Sequence, residues 1–384
     1  MRRACLPLPG ACLNASRLSL RAGATHQGRR PDLARWPAAI LSAMATTMRE
    51  VAALAGVSIK TVSRVVNEEP HTRPEVVARV RAAIAELGWT PNPSARNLRT
   101  GRTGTVAIAV EGLRRPYLAT LVEVLVDEVA RRGLDATVEP TGGDPALLRS
   151  VVSAAGRMHD GVVVIGDVPP GVGEGGAEPP AVVVLQGTRS DLALDRVDED
   201  VAVAAALVSR HLVVMGRSRP VVLGADRGHG LEMGAAATQP SQALRAALAA
   251  VDIDVEHLPF VACGPSLDRA AGVAAGREAL ARHPEADAYL CANDEVALGA
   301  LVALASAGVE CPGRVAVLGN GNLVDGRFSS PSLTTVDPHP RAMARAALDL
   351  LVDRIEGRRP GRPRSVTIPV DLVRRESTMG RPRT

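Results

Sequence analysis

One lysine, Lys60, stands in the whole 384-residue sequence, so arginine supplies nearly all of the 45 basic side chains. We read that scarcity as a GC-rich coding bias. Long apolar runs are missing too. Although 46% of the residues are hydrophobic, no uninterrupted stretch approaches the roughly 20 residues that span a bilayer, so no membrane partner is expected. Cysteine is sparse: Cys5, Cys12, Cys263, Cys291 and Cys311 show no metal-ligand spacing, and an odd number cannot all pair. Reduced, incidental thiols in a cytosol fit that pattern. Catalytic signatures are absent as well. There is no Ser/His/Asp order, no Walker loop, and no G-x-G-x-x-G after a strand. His211, His229, His257 and His339 are scattered, as surface or structural histidines are. We therefore expect neither an enzyme nor a cofactor.

What is present is uneven charge. Residues 1–43 carry seven Arg against one Asp, residues 44–102 nine basic against five acidic residues, and the remainder 29 basic against 35 acidic. A basic N-terminal part on an acidic body fits an anionic partner gripped at one end, and DNA is the obvious candidate. The first 43 residues form no firm apolar core, being broken by Pro7, Pro9, Gly10 and Asn14, which argues against a signal peptide. They read either as a disordered basic arm or as a misplaced start ahead of Met44.

From Thr47 to Leu87 the pattern predicts three short helices. Thr47 with Glu50 makes a capping box, and Val51, Ala52 and Ala55 share one face. Gly56 permits a tight turn, Ser58 can cap the next helix, and Val62, Val65 and Val66 point inward. Ile59, Lys60, Ser63 and Arg64 are then left facing outward. Pro74 opens a third helix that ends at Gly88. Such a pattern is a helix-turn-helix with a supporting helix.

Beyond residue 104 the texture changes to short, nearly continuous apolar strands alternating with amphipathic helices, from "TVAIAV" to "RAMARAALDLLVDRIEG". That texture means parallel sheets covered on both faces. About nine units exceed one doubly wound domain, so two similar α/β lobes with a ligand crevice between them are expected. The stretch "PPGVGEGGAEPP" reads as a surface loop.

"TMREVAALAGVSIKTVSRVVN", "PEVVARVRAAIAELGW" and "PNPSARNLRTGRTGTVAIAV" resemble the N-terminal part of the LacI/GalR family of bacterial transcription regulators. "HDGVVVIG", "RHLVVMGRSRPVVLG", "CANDEVALGALVALASAGVECPGRVAVLGN", "PSLTTVDPHP" and "VDLVRREST" continue the resemblance in order, so it covers about residues 46–378. It implies a helix-turn-helix domain at 46–90, a hinge helix and linker at 91–103, and a two-lobed periplasmic-binding-protein-like domain at 104–378. It also implies a cytoplasmic, ligand-responsive repressor that binds double-stranded operator DNA and a small-molecule effector, a sugar or other metabolite, as a homodimer.

Carried over residue by residue, the resemblance puts Ile59, Lys60 and Arg64 on base edges in the major groove, where an arginine fork suits guanine. Thr47, Thr61, Ser63 and Asn67 are expected on phosphates, and Ser58 joins this DNA-facing set. Ala95 and Leu98 would lie on the hinge helix, with Leu98 as a minor-groove wedge. In the crevice, Tyr117 is expected to stack on the effector, and Gln186, Asn293 and Asp294 to hydrogen-bond it. Asp294 alternatively caps the helix that follows it. Glu111 and Arg115 flank the crevice, pairing with each other or with a charged ligand. Three family anchors are replaced: Pro240 stands for a usual arginine, Gly321 for a usual aspartate, and Gln186-Gly187 for a frequent Asp-Arg pair. A sugar effector is weakened by those losses.

Two other readings compete. An exported solute-binding protein shares the two-lobed body but lacks a helix-turn-helix. An activator shares everything, because the sign of regulation depends on where the operator lies. The helix "YLATLVEVLVDEVARRG" and its counterpart in the second lobe are expected to make the dimer interface, and the short "TMGRPRT" end leads us to expect no heptad tail for a tetramer.

Overall fold

A computed structural model describes residues 47–66, 72–89, 102–172, 181–187, 193–224, 242–264, 266–358 and 361–380. The extension at 1–43, Asn67, the hinge residues Ala95 and Leu98, and Pro240 lie outside them. The chain divides into two units, Met1–Pro91 and Asn92–Thr384.

The first unit is built from α1 (Met48–Ala55), α2 (Ile59–Val66) and α3 (Pro74–Leu87). Thr47 caps α1 through a full capping box: its N–H donates to Glu50 Oε2 at 2.7 Å, and its hydroxyl accepts from the Glu50 N–H. Gly56 ends α1 in the left-handed region at φ 62°, which turns the chain into α2 without a Cβ clash. Val51, Ala52, Ala55, Val62 and Val65 meet Val80 and Ala83 of α3 in one small core. Trp89, just past the C-terminal glycine of α3, seals that core. Its role is not visible in the helical periodicity because it lies outside every helix.

The second unit holds two six-stranded sheets. In the first, β1 (Thr105–Val110), β2 (Asp135–Pro140), β3 (Gly161–Ile165), β4 (Val182–Leu185), β5 (Asp195–Glu199) and β11 (Ser365–Ile368) lie in the order β11-β5-β4-β3-β1-β2. All its pairings are parallel. The second takes the order β12-β10-β9-β8-β6-β7. Its strands are β6 (Pro220–Gly224), β7 (Phe260–Ala262), β8 (Ala288–Cys291), β9 (Ala316–Asn320), β10 (Thr334–Asp337) and β12 (Asp371–Val373). Only β12 pairs antiparallel there, at the edge beside β10.

Helices α4 (Pro116–Arg131), α5 (Pro145–Ser153) and α11 (Pro340–Ile355) cover the first sheet. The second is covered by α6 (Val201–Val214), α7 (Gln242–Ala249), α8 (Arg269–Arg282) and α9 (Asp294–Ser306), with short α10 (Asp325–Phe328) and α12 (Glu376–Met379) beside them. Valine and isoleucine fill β1, β3 and β4 because both faces of a parallel sheet are dry. At the α8–α9 crossing, Gly272 and Gly299 sit against the other helix's backbone, where a Cβ on either would collide with Val296 or Arg269. No helix among the described residues is long and apolar enough to cross a membrane.

The chain passes between the lobes three times: from β5 into α6, from β10 into α11, and from β11 into β12. A buried ion pair stands at the opposite edge of the first sheet, where β5 and β11 begin. Arg354 of α11 donates bidentately to Asp195 of β5 at 2.7 and 2.9 Å, and the Arg364 N–H adds a bond at 2.7 Å to the same carboxylate. The side chains of Arg354 and Asp195 are 6% and 0% exposed. Arg354→Ala should therefore destabilise the chain by about 3–5 kcal/mol, because it strands a buried carboxylate. Denaturant titration of the full chain checks this, and a loss within the surface-pair range of about 1 kcal/mol would contradict it.

Candidate functional site

Two surfaces concentrate the residues expected to carry function. The first is the outer face of α2. Val62 and Val65 are 0% and 6% exposed, so they hold the helix down. Ile59, Lys60 and Arg64 lie on the open side, with Thr61 and Ser63 half-buried between. Ser58 sets the start of the helix, since its hydroxyl accepts from the Thr61 N–H at 3.1 Å and meets the Thr61 hydroxyl at 2.9 Å. An open N-terminal half with two apolar anchors behind it is what groove insertion requires. Thr47 also faces solvent, and its hydrogen bonds to Glu50 hold that carboxyl below its ordinary range.

The second surface lies where the carboxyl ends of the two sheets approach each other. Tyr117 enters from the first turn of α4. Its hydroxyl accepts from Gln186 Nε2 at 3.0 Å, which joins two of the expected cleft residues directly. Gln186 reaches that position from a left-handed backbone, φ 54°. Across the cleft, Gly321 has φ 124°, and a Cβ there would stand 3.5 Å from the Tyr117 ring. The replacement of a family aspartate by glycine thus has a physical correlate: the tyrosine ring lies where a side chain would extend. Glu111 is exposed and Arg115 half-buried at the same edge of the first sheet.

The cap of α9 falls one residue earlier than expected. Asn293, not Asp294, caps α9: its Oδ1 accepts from the Val296 N–H at 2.8 Å, and its Nδ2 donates to the Leu267 carbonyl at 3.1 Å. Asp294 is 0% exposed, and its two oxygens accept from the Thr335 hydroxyl at 2.5 Å and the Leu323 N–H at 2.6 Å. It braces the β9 and β10 ends from behind and is too enclosed to touch a ligand. Burial pushes its carboxyl up to about 6, with those hydrogen bonds opposing.

Three cleft residues escaped the sequence reading: Glu199, Asn320 and Asp337. Glu199 ends β5 in the first sheet and Asn320 ends β9 in the second. The Asn320 side chain lies near enough to the Glu199 carboxylate to favour its charged form. Burial, and then the charge of Asp198, push Glu199 up to about 7. Burial first, then Glu199 and to a lesser degree Asp337, raise Tyr117 above the ordinary phenol range. The "VDED" run around Glu199 and the "GNGN" run around Asn320 were the available signals, since each places a polar side chain at a strand's carboxyl end.

Residues 47–92 match the family model of bacterial regulatory proteins of the lacI family, and residues 209–378 match that of a periplasmic binding protein-like domain. The HTH-type transcriptional regulator CelR of Thermobifida fusca is 30% identical over 341 residues, covering 85% of this chain and 95% of CelR. The chain belongs to the lacI family of bacterial regulatory proteins. This lacI-family regulator is also 28% identical to the HTH-type transcriptional repressor PurR of Pectobacterium atrosepticum over 322 residues, 82% of this chain and 91% of PurR. A solved CelR–cellobiose complex matches it with TM-score 0.61 and 29% identity, over 86% of this chain and 99% of that one. It is a DNA-binding transcriptional regulator on a helix-turn-helix and two-sheet α/β framework.

Glu199 generates a pH prediction. Its folded value of about 7 exceeds the ordinary 4.5, so the folded chain holds this proton more tightly than the unfolded one. Its contribution to stability therefore falls as pH rises between those values, and Asp294 acts in the same direction up to about 6. Glu199→Gln should melt a few degrees above the parent near pH 8, with the gap closing toward about pH 5. Thermal unfolding at both values decides it, and an equal gap at both would remove Glu199 as the cause.

Proposed function

We propose that this chain is a ligand-responsive repressor of the bacterial cytoplasm that binds a pseudo-palindromic operator as a dimer. Residues 46–90 read the operator, residues 91–103 form hinge and linker, and residues 104–378 bind the effector and the second copy. The observation that carries this is α2, pinned by Val62 and Val65 with Ile59, Lys60 and Arg64 left open. In this reading those three side chains meet base edges, while Thr47, Ser58, Thr61, Ser63 and Asn67 position the backbone. Ala95 and Leu98 keep their proposed place on a hinge helix in the minor groove. A repressor rather than an enzyme is supported by the named roles of PurR and CelR as regulators. The CelR structure holds cellobiose, which supports a small-molecule effector here as well.

The second copy needs a surface, and the apolar side of α4 is turned to its own lobe. Leu121, Val122, Val124, Leu125 and Val129 of that helix are spent in their own lobe's core. Helix α9 is apolar nearly all round, yet only one side packs inward. Its other side, with Leu298 and Val302, lines a groove of about 630 Å³ together with Val324 and Phe328 of the α10 region. Phe328 is 82% exposed and Val324 66%. A palindromic site calls for a two-fold partner, and this face is the apolar surface that fits one.

Arg64→Ala should weaken operator binding by about 1–3 kcal/mol and relax preference at one base position per half-site. Selection of binding sequences from a random DNA pool tests this, and an unchanged consensus would remove α2 as the reader. Phe328→Asp should weaken self-association by at least about tenfold. Sedimentation across a concentration series reads that value, and an unaltered dimer would place the interface elsewhere.

A further inference from the structure

The cleft contains two acceptors that no donor among the described residues reaches. Glu199 Oε2 and Asn320 Oδ1 are both enclosed and have no hydrogen-bond partner among those residues. They end β5 and β9, one from each lobe, and the Asn320 side chain lies near enough to the Glu199 carboxylate to act on its charge. Buried oxygens of this kind are normally matched by an N–H or O–H. Here the matching group has to come from outside the described residues.

The surrounding charges say which kind of donor fits. Asp198 is answered by Arg196 at 2.9 Å, and Arg196 also donates to the Gly187 carbonyl at 2.7 Å. Asp337 accepts from Asn322 Nδ2 and from the His339 N–H, each at 2.8 Å, with His339 Nδ1 at 3.8 Å. Arg375 is directed to the Leu333 carbonyl and to Asn322 Oδ1, both at 2.7 Å. Asp294 is bonded from behind by Thr335 and Leu323. Among the described residues, Glu199 has no cation in ion-pair contact, and its neighbour Asp198 and the nearby Tyr117 hydroxyl add none.

We propose that the cleft takes a small organic cation whose N–H groups bond Glu199 Oε2 and Asn320 Oδ1 while Tyr117 lies along its apolar part. This rests on the reading of the cleft as the effector site. An ammonium or guanidinium is donor-only, so it satisfies both oxygens and makes charge-assisted bonds to the carboxylate. A carboxylate or phosphate ligand would bring a like charge to Glu199. A neutral polyol can donate but leaves the charge unanswered. The upward push on Glu199 accords with a carboxylate enclosed without its counter-ion.

Four probes test the class: cyclohexylammonium, cyclohexanol and cyclohexanecarboxylate, which share one ring and differ in charge, and cellobiose as a neutral, hydroxyl-rich ligand. Calorimetric titration of the full chain near neutral pH should show cyclohexylammonium binding at least about tenfold more tightly than cyclohexanol, with the carboxylate weakest. Glu199→Gln, confirmed folded by its thermal transition, should erase that preference. Absence of saturable cyclohexylammonium binding, cyclohexanol binding as tightly, or a preference that survives Glu199→Gln overturns the proposal. Hydrogen exchange separates this from the cleft reading. If cellobiose or cyclohexanol protects the β5 and β9 ends without a charge preference, the cleft remains the effector site and only the cation fails. If cyclohexylammonium binds while those ends stay unprotected, it binds elsewhere and the proposal fails.

Discussion

A parallel sheet delivers every one of its strands to the same edge, and each connection must return behind the sheet before the next strand begins. Both sheets of the second unit obey this apart from the antiparallel edge strand β12, and the chain joins them by leaving one carboxyl edge for the other lobe. The loops that follow β1, β4 and β5 are therefore brought to those that follow β8, β9 and β10. Tyr117 lies against Gly321, and Asn320 comes near Glu199, for that topological reason. The cleft residues are far apart in sequence, and no local signal could assemble them.

The buried network behind the cleft serves the same constraint. Asp294 ties the start of α9 to Leu323 and Thr335, while Arg375 ties the returning tail to Asn322 and Leu333. Further back, the Thr334 hydroxyl meets Thr378, which in turn meets His211 of α6. These bonds fix the segment that follows β9 and the start of β10 relative to the helices that enter and leave the second lobe. They are satisfied internally, in contrast to Glu199 Oε2 and Asn320 Oδ1. That contrast distinguishes polar groups that hold the cleft's wall from polar groups left facing it.

Legibility in the sequence followed the range of the interaction. Capping by Thr47, the glycine turn at Gly56 and the proline start at Pro74 are events within a few residues, and the expected helices form there. Strands β1, β3 and β4 were legible because burial on both faces forces continuous valine and isoleucine. Strand β5 was not, since "DRVDE" buries Asp195 through an ion pair to residue 354, a partner that periodicity cannot show. Helix α8 is hard to read for a related reason: Gly272 and Gly276 look like breakers until α9 is seen packed against them. At the cleft, the family resemblance pointed to Tyr117 and Gln186, which the structure brings together. The Asp294 carboxylate serves the fold, bonded to Thr335 and Leu323, and Glu199 carries no local signal beyond its place at a strand end.

The placement of Glu199 and Asn320 on different lobes has a consequence for how such a regulator is switched. A ligand changes DNA affinity only through its differential affinity for two states of the protein, and the operator must alter ligand affinity by the same factor. Contacts confined to one lobe would be nearly unchanged when the lobes move, and would contribute binding without switching. A donor shared between Glu199 and Asn320 is bonded twice only when β5 and β9 stand as close as they do here. Bonding across the gap thus converts ligand affinity into a preference for one lobe arrangement, which is the quantity that a coupled operator site can sense.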